Sequence, residues 1–100
     1  MNERKYVIVC NEHSGNWSGV LLFWGHRTQD SQERSFGGYT SDIDNCEVYS
    51  ENEVKEKGYR FPKYHDGMTW EEFRGYDDIL IEPEYLEKLG YKQMRVWYKP

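Results

Sequence analysis

The sequence predicts an α+β fold, with a small antiparallel sheet of four or five strands and three short helices packed mainly on one face. Short runs of β-branched and aromatic residues alternate with polar, turn-rich segments, which is typical of short strands. Two sites match the capping box that begins a helix, and a glycine follows each site after one or two turns. The 100 residues are enough for a single domain, residues 1–100, with a small core.

Four segments carry the strand signal: residues 5–10, 20–24, 79–81 and 92–99. The first two are separated by a turn-rich stretch and should pair as a hairpin. The last two are separated by a segment too short for a typical parallel crossover, which favours antiparallel pairing or strands that are not neighbours. Residues 39–40 are expected to begin a further short strand.

Helix starts are indicated by side chains that can cap them. Ser50 and Glu53 match a capping box, which predicts a helix over residues 51–57 that the next glycine ends. A second capping box begins at Thr69 and predicts one or two helical turns that end at Gly75.

Two further helical segments are expected. Residues 42–46 should form one helical or 3₁₀ turn after a polar cap. Pro83 suits the first turn of a helix over residues 84–89, because an N–H at that position would have no partner within the helix. The residues expected in the core are Tyr6, Ile8, Leu21, Phe23, Ile43, Trp70, Phe73, Leu86, Leu89, Met94 and Val96.

The chain is acidic, with a formal net charge of −5 at pH 7. This charge argues against direct nucleic acid binding, which depends on basic contacts to the phosphate backbone. The acids are clustered, and one cluster begins with Asp42, Asp44 and Glu47. Such a cluster is either a solvated surface or a patch that meets a basic partner.

The remaining composition predicts a cytoplasmic protein. No apolar stretch approaches the length of a membrane span, and Met1 leads into charged residues without a signal-peptide pattern. Two cysteines are too few for a disulfide scaffold, so reduced thiols are expected. No cofactor is predicted.

The residues that could bind a metal or act as nucleophiles are poorly arranged for either role. Cys10, Cys46, His13, His26 and His65 stand in no paired motif of the zinc type. Cys10 ends an apolar strand and Cys46 lies among acids, and both settings keep a thiol protonated. We therefore predict no metal site and no catalytic residue, and we do not expect an enzyme.

A polar loop without hydrophobic periodicity is predicted at residues 26–38, and we expect it to be mobile. Two guanidinium groups, an aromatic face and glycine backbone donors would suit a small nucleotide, by stacking and by a bidentate phosphate contact. A plain glycine turn in a surface loop is the alternative. The residues that could form this nucleotide site are Arg27, Arg34, Phe36, Gly37 and Gly38.

Residues 38–43 read Gly-Tyr-Thr-Ser-Asp-Ile, and residues 49–53 read Tyr-Ser-Glu-Asn-Glu. Together with the preceding apolar run, this order resembles small proteins that are abundant in bacteriophage genomes. Their pattern is Gly-Tyr-Thr-x-Asp, a few residues, and then Tyr-Thr/Ser-x-Glu-Glu-Ala. The likeness covers about residues 6–57, with Cys46 and Val54 where a small residue is more usual.

The resemblance implies a phage or prophage accessory protein that acts inside the bacterial host cell. Small proteins of that kind often act by stoichiometric binding, including inhibition of host defence, as anti-CRISPR proteins do. We therefore expect a non-catalytic protein that binds and inhibits a host protein, with a defence effector as the target. The alternatives are a sponge for a small nucleotide signal and a small enzyme acting on a phosphate-containing substrate.

The contact candidates for these functions combine loop residues, aromatic residues and acids. Exposed edges of a small sheet would also allow pairing between chains, so a homodimer is a further expectation. The candidate residues are Arg27, Arg34, Phe36, Gly37, Gly38, Tyr39, Asp42, Asp44, Glu47, Tyr64 and Trp97.

Overall fold

The computed structural model of the chain describes residues 3–12, 20–26, 33–93 and 97–99. The expectations for Arg27, Met94 and Val96 lie outside these residues, as does the side chain of Trp97. Within the described ranges, no helix is long and apolar enough to cross a membrane.

A four-stranded antiparallel sheet forms the centre of the fold. Its strands are β1 (Val7–Cys10), β2 (Phe23–Trp24), β3 (Tyr39–Thr40) and β4 (Asp78–Ile81), in the spatial order β3-β2-β1-β4. Each adjacent pair is antiparallel. The α+β class and the antiparallel sheet predicted from the sequence are confirmed, and the two N-terminal strands are neighbours as expected.

The C-terminal region differs from the prediction of one strand over residues 92–99. Two short strands, β5 (Lys92–Gln93) and β6 (Trp97–Tyr98), pair with each other antiparallel in a separate two-stranded sheet. A single extended strand would not allow this pairing. The single strand was predicted from alternating apolar residues. Such alternation indicates which residues face a core, but it does not indicate that one strand is divided into two that pair with each other.

Two α-helices begin at the predicted caps. Helix α1 (Glu51–Glu56) has the full capping box, with the Ser50 hydroxyl accepting from the Glu53 N–H and the Glu53 carboxylate accepting from the Ser50 N–H. Helix α2 (Trp70–Arg74) is capped by Thr69.

The other two helical predictions are realised in shorter forms. The helix predicted over residues 84–89 is two consecutive 3₁₀ helices, Pro83–Tyr85 and Glu87–Leu89. Residues 42–46 form a hydrogen-bonded turn, in which the N–H of Asn45 donates to the carbonyl of Asp42 at 3.0 Å. Segments this short gain little from helix propagation, so capping and packing decide their form.

The sheet has one core on each face, because successive residues of a strand point to opposite sides. The first face carries Val9 and Phe23, and it packs against α2 and both 3₁₀ helices through Phe73, Leu86 and Leu89. Two of the three predicted helices, α2 and the segment that forms the two 3₁₀ helices, therefore lie on the first face.

The second face carries a smaller core of Tyr6, Ile8 and Leu80, covered by Tyr49 and by Val54 of α1. Predicted core residues on both faces are buried, with two exceptions. Ile43 and Trp70 are only partly buried, and the Trp70 indole N–H donates to the Tyr91 hydroxyl at 3.0 Å. The predicted core residues that are buried are Tyr6, Ile8, Leu21, Phe23, Phe73, Leu86 and Leu89.

The two edges of the sheet differ. At the β4 edge, the N–H of Leu80 donates to the Pro62 carbonyl at 2.9 Å, and the N–H of Tyr64 donates to the Leu80 carbonyl at 2.8 Å. These bonds place the segment around Pro62 along the edge of β4. Pro62 favours an extended segment here, because a residue that precedes a proline is restricted to extended conformations. Among the described residues, β3 pairs only with β2 and so leaves its outer edge unpaired.

Candidate binding surface

Five aromatic side chains from four parts of the chain lie together on the second face of the sheet. Their rings are in contact, and each is only partly buried or is exposed. We call this group the aromatic surface; it consists of Trp24, Phe36, Tyr39, Tyr59 and Phe61.

Trp24 lies at the centre of the aromatic surface. Its ring meets Tyr59 and Phe61 at centroid distances of 5.2 and 5.3 Å, and it meets Tyr39 edge-on at 6.0 Å. The indole N–H donates to Asp78 Oδ1 at 2.8 Å. Edge-to-face geometry and this hydrogen bond give the indole a defined orientation, so the surface is preorganised.

Tyr39 is the most open member of the aromatic surface. Its side chain is 43% exposed, because β3 is an edge strand. Partial burial raises the pKa of its hydroxyl, and the neighbouring Cys10 and Asp78 raise it further. The Tyr39 hydroxyl is therefore neutral at neutral pH, and the ring is exposed at the edge of the sheet.

Phe36 forms the side of the aromatic surface that faces α1. Its ring stacks on the buried Tyr49 ring at a centroid distance of 4.5 Å and touches Tyr59 at 5.5 Å. The Lys57 ammonium lies 5.8 Å from the ring centroid. The backbone of Phe36 has φ = 54°, a left-handed value that is uncommon for a residue with a side chain.

Glu47 holds the Phe36 segment in this conformation. The Glu47 carboxylate accepts from the N–H groups of Ser35 and Phe36 at 2.8 and 2.9 Å. It also accepts from the Tyr49 hydroxyl at 2.9 Å. Successive N–H groups around a left-handed residue form an anion-binding nest, and here the anion is a side chain of the same protein.

The Glu47 carboxylate is deeply buried, since only 1% of the residue is exposed. Burial raises the pKa of Tyr49, and the adjacent Glu47 carboxylate raises it further, so the Tyr49 hydroxyl keeps its proton and donates. The expected role of Glu47 as a surface acid for a partner is therefore wrong. Its three hydrogen bonds compensate the cost of burying it.

Gly25 allows this buried arrangement to form. A Cβ atom at Gly25 would lie 2.5 Å from Glu47 Oε1 and 2.5 Å from the Tyr49 hydroxyl oxygen. Its φ of +83° is also left-handed. Glycine is required here by both the space and the backbone conformation.

Hydrogen bonds within the protein occupy several of the groups on which the nucleotide hypothesis depends. The N–H groups of Ser35 and Phe36 point to Glu47, and the N–H of Gly37 donates to the Ser35 hydroxyl at 3.3 Å. The Gly38 carbonyl accepts from Gly25 at 2.7 Å. Arg34 is only 4% exposed and donates to the Val48 carbonyl. Of the predicted loop at 26–38, residues 34–38 thus form hydrogen bonds with residues 25–26 and 47–48 or among themselves.

A cleft of about 300 Å³ lies beside Phe36, between residues 33–36 and α1. Its wall on α1 carries Glu53, Glu56 and Lys57, which lie on one side of the helix because they are three and four residues apart. The opposite wall carries Glu33, Arg34 and Phe36.

The acidic cluster at residues 42–56 does not form one continuous patch. Glu53 pairs with Arg4 at 2.7 Å, and Glu51 pairs with Lys63 at 3.1 Å. Asp42 accepts from the N–H of Asp44 within a turn. Asp44 is exposed at that turn, and Asp42 is partly buried.

The structure brings together six of the sequence-predicted candidates and separates another. Tyr64 packs in the core of the first face, where it is 8% exposed and stacks on Tyr85 at 5.4 Å. It is therefore not available as a surface contact. The six that lie together are Arg34, Phe36, Gly37, Gly38, Tyr39 and Glu47.

Three important members of the site were not among the candidates: Trp24, Tyr59 and Phe61. The alternation of Tyr59 and Phe61 before Pro62 is the available signal, because an extended segment places these two rings on one side. Their contact with Trp24 depends on long-range pairing, which composition does not reveal.

The structure offers little for nucleophilic or metal chemistry in the parts of the chain that it describes. Cys10 and Cys46 are buried, and burial raises the pKa of Cys46 to about 12. No group of three or more His, Cys, Asp or Glu side chains there is arranged to hold a metal ion.

The fold and site thus define a small α+β protein with an aromatic surface and an adjoining charged cleft. Comparison of the chain with protein-family models, curated proteins and solved structures gives no match in any of the three.

Proposed function

We propose that the protein is a non-catalytic binding protein whose aromatic surface contacts another protein. The observation that carries the proposal is a connected set of five partly exposed rings, in which Trp24 contacts Tyr39, Tyr59 and Phe61, and Phe36 joins the set through Tyr59. Aromatic residues are enriched at the centres of protein interfaces, and Tyr and Trp dominate binding hot spots.

The rigidity of the aromatic surface supports the same proposal. Trp24 is oriented by Asp78, and Phe36 is fixed through Tyr49 and Glu47. Side chains that are already ordered lose little conformational entropy on binding. The exposed Tyr39 ring then supplies contact area at the open edge of the sheet.

The partner that we propose is a host-cell protein, bound stoichiometrically and inhibited. This finer proposal follows from the resemblance of residues 6–57 to phage accessory proteins, and a bacterial defence effector is the target that the resemblance favours. Stoichiometric inhibition needs a preformed contact surface and no catalytic group, and the buried state of both cysteines is consistent with it.

Affinity capture from bacterial lysate, quantified by mass spectrometry, tests the proposal with three baits: wild type, Tyr39→Ser and Tyr76→Ser. Tyr76 is a matched control, because it is 38% exposed and contacts none of the rings of the aromatic surface. A partner should be recovered with wild type and with Tyr76→Ser. If Tyr39 is a hot spot, its loss should weaken binding of the purified partner by about thirtyfold or more.

Two outcomes would contradict the proposal. Recovery of no partner at either low or moderate salt would contradict it. A partner that binds Tyr39→Ser and wild type equally would place the interface elsewhere and would reject the aromatic surface as the contact.

A further inference from the structure

The cleft between α1 and residues 33–36 combines an aromatic ring with carboxylates on both walls. Phe36 forms part of one wall, Glu33 lies beside it, and Glu56 lies on the opposite wall. Both acids are exposed, and neither forms an ion pair with a described residue. These two carboxylates can accept hydrogen bonds from a ligand without displacing a partner among those residues.

The other charged side chains of the cleft either form hydrogen bonds within the protein or can leave the cleft. Glu53 accepts three hydrogen bonds from Arg4, at 2.7 to 3.1 Å. Arg34 is buried and donates to the Val48 carbonyl. Lys57 is exposed at the end of α1 and can swing out of the cleft on its flexible stem. Three acidic and two basic side chains line the cleft, so its formal charge is −1, and Glu33 and Glu56 are the exposed acids that form no ion pair with a described residue.

The Phe36 ring already attracts a cation. The Lys57 ammonium lies 5.8 Å from the ring centroid, which is within the range of a cation–π interaction. A guanidinium group would use this ring better than an ammonium, because it is planar, stacks on aromatic faces and donates to carboxylates in a fork geometry.

An anionic ligand fits the same cleft poorly. The backbone donors next to Phe36 are occupied by the buried Glu47 carboxylate. A phosphate group would also approach the exposed carboxylates of Glu33 and Glu56. The charge of the cleft therefore selects for a cation.

We propose that this cleft binds an arginine side chain of the partner, with the guanidinium stacked on Phe36 and paired with Glu33 and Glu56. This inference rests on the proposed function, because it names the chemistry of one anchor on the protein that the aromatic surface contacts. Phe36 belongs to both the cleft and the aromatic surface, so the two sites form one continuous interface.

Titration of the ¹⁵N-labelled protein with N-acetyl-arginine-methylamide, followed by amide chemical shifts, tests the cleft without any partner. Saturable shifts are expected at residues 33–36 and 53–57, with affinity on the order of millimolar. The double variant Glu33→Gln/Glu56→Gln should weaken this binding by about tenfold, equivalent to about 1.4 kcal/mol.

The matched control removes the same charge elsewhere. Glu71→Gln/Glu87→Gln replaces two exposed acids away from the cleft and should leave the affinity unchanged. ATP is the counter-probe and should give no saturable shifts at the cleft. Equal weakening in both double variants, absence of localised shifts with the arginine probe, or saturable binding of ATP in its place would overturn the inference.

The experiments can reject the proposed function and the cleft inference independently of each other. If wild type captures a partner that Tyr39→Ser loses, but the arginine probe does not bind, the cleft inference is rejected and the proposed function stands. If the probe binds the cleft but no partner is captured, the proposed function is rejected, and with it the assignment of the arginine to a protein partner.

Discussion

The buried carboxylate of Glu47 accepts a hydrogen bond of 2.9 Å from the buried hydroxyl of Tyr49. The two residues share a strand-like segment, and the Tyr49 ring supports Phe36 from beneath at 4.5 Å. The same carboxylate holds the backbone of Phe36 at 2.9 Å. The position of one side of the aromatic surface therefore depends on this buried polar pair.

The first prediction concerns the charge of Glu47. Glu47→Gln keeps the shape of the side chain, but it replaces charge-assisted hydrogen bonds with neutral ones and adds a donor that faces other donors. We expect the free energy of unfolding to fall by about 2–3 kcal/mol. Urea denaturation measures the loss, with the exposed Glu87→Gln as the control. A loss of less than about 0.5 kcal/mol, as for an ordinary surface substitution, would contradict the buried role of Glu47.

A second prediction tests the space around the same pair. Gly25→Ala would place a Cβ atom 2.5 Å from both Glu47 and Tyr49, at a left-handed φ. We expect a destabilisation of about 3 kcal/mol, because backbone strain and overpacking add.

The matched control is Gly67→Ala, which has a similar φ of +94° and no atom within 4 Å of the added Cβ. It should show only the backbone penalty of about 1 kcal/mol. Thermal denaturation of the two variants side by side separates the steric contribution. Equal losses would show that no close contact exists at Gly25.

The sequence was informative where the physical cause is local. The capping box of Ser50 and Glu53 is complete within four residues, and the helix begins where it predicts. Glu47 shows the opposite case. Asp42 and Asp44 lie a few residues before it, which suggested an acidic surface patch. The N–H groups that bind its buried carboxylate lie 11 and 12 residues upstream. No local pattern reports such a contact.

The aromatic surface could be predicted only in part for the same reason. Phe36 and Tyr39 were candidates as aromatic residues in excess of those that one small core needs. Tyr59 and Phe61 reach the site because the segment that carries them continues into Pro62 and Tyr64, which form hydrogen bonds with β4. Strand order determines which rings meet, and the two-residue strands carry too little pattern to specify that order.

A third prediction concerns acid stability. Burial raises the pKa of Glu53, but hydrogen bonds from Arg4 and Ser50 outweigh it, so the pKa lies below its usual value of 4.5. A carboxylate with a lowered folded-state pKa stabilises the fold above the unfolded-state pKa, and this contribution is lost as the pH falls through the folded-state pKa.

We therefore expect the free energy of unfolding to fall on acidification below about pH 5. Glu53→Gln, which can still cap α1, should cost about 1 kcal/mol at pH 7, and its difference from wild type should shrink as the pH falls. Denaturant melts between neutral and strongly acidic pH provide the measurement. A difference that stays constant over this range would contradict the role of the Arg4–Glu53 pair.

The last prediction concerns the two thiols. Burial raises the pKa of Cys46 to about 12, and nearby Asp42 and Asp44 add to the shift. Its Sγ also donates to the Ile43 carbonyl at 3.3 Å, and Cys10 is equally inaccessible within β1. Since the thiolate is the reactive form, neither residue should react readily with a thiol reagent while the protein is folded.

We expect reaction with a disulfide reagent at pH 8 to be about a hundredfold or more slower in the native protein than in denaturant, because the reaction requires opening of the fold. Single Cys10→Ser and Cys46→Ser variants assign the two rates, and a thiol that reacts equally fast with and without denaturant would contradict its burial.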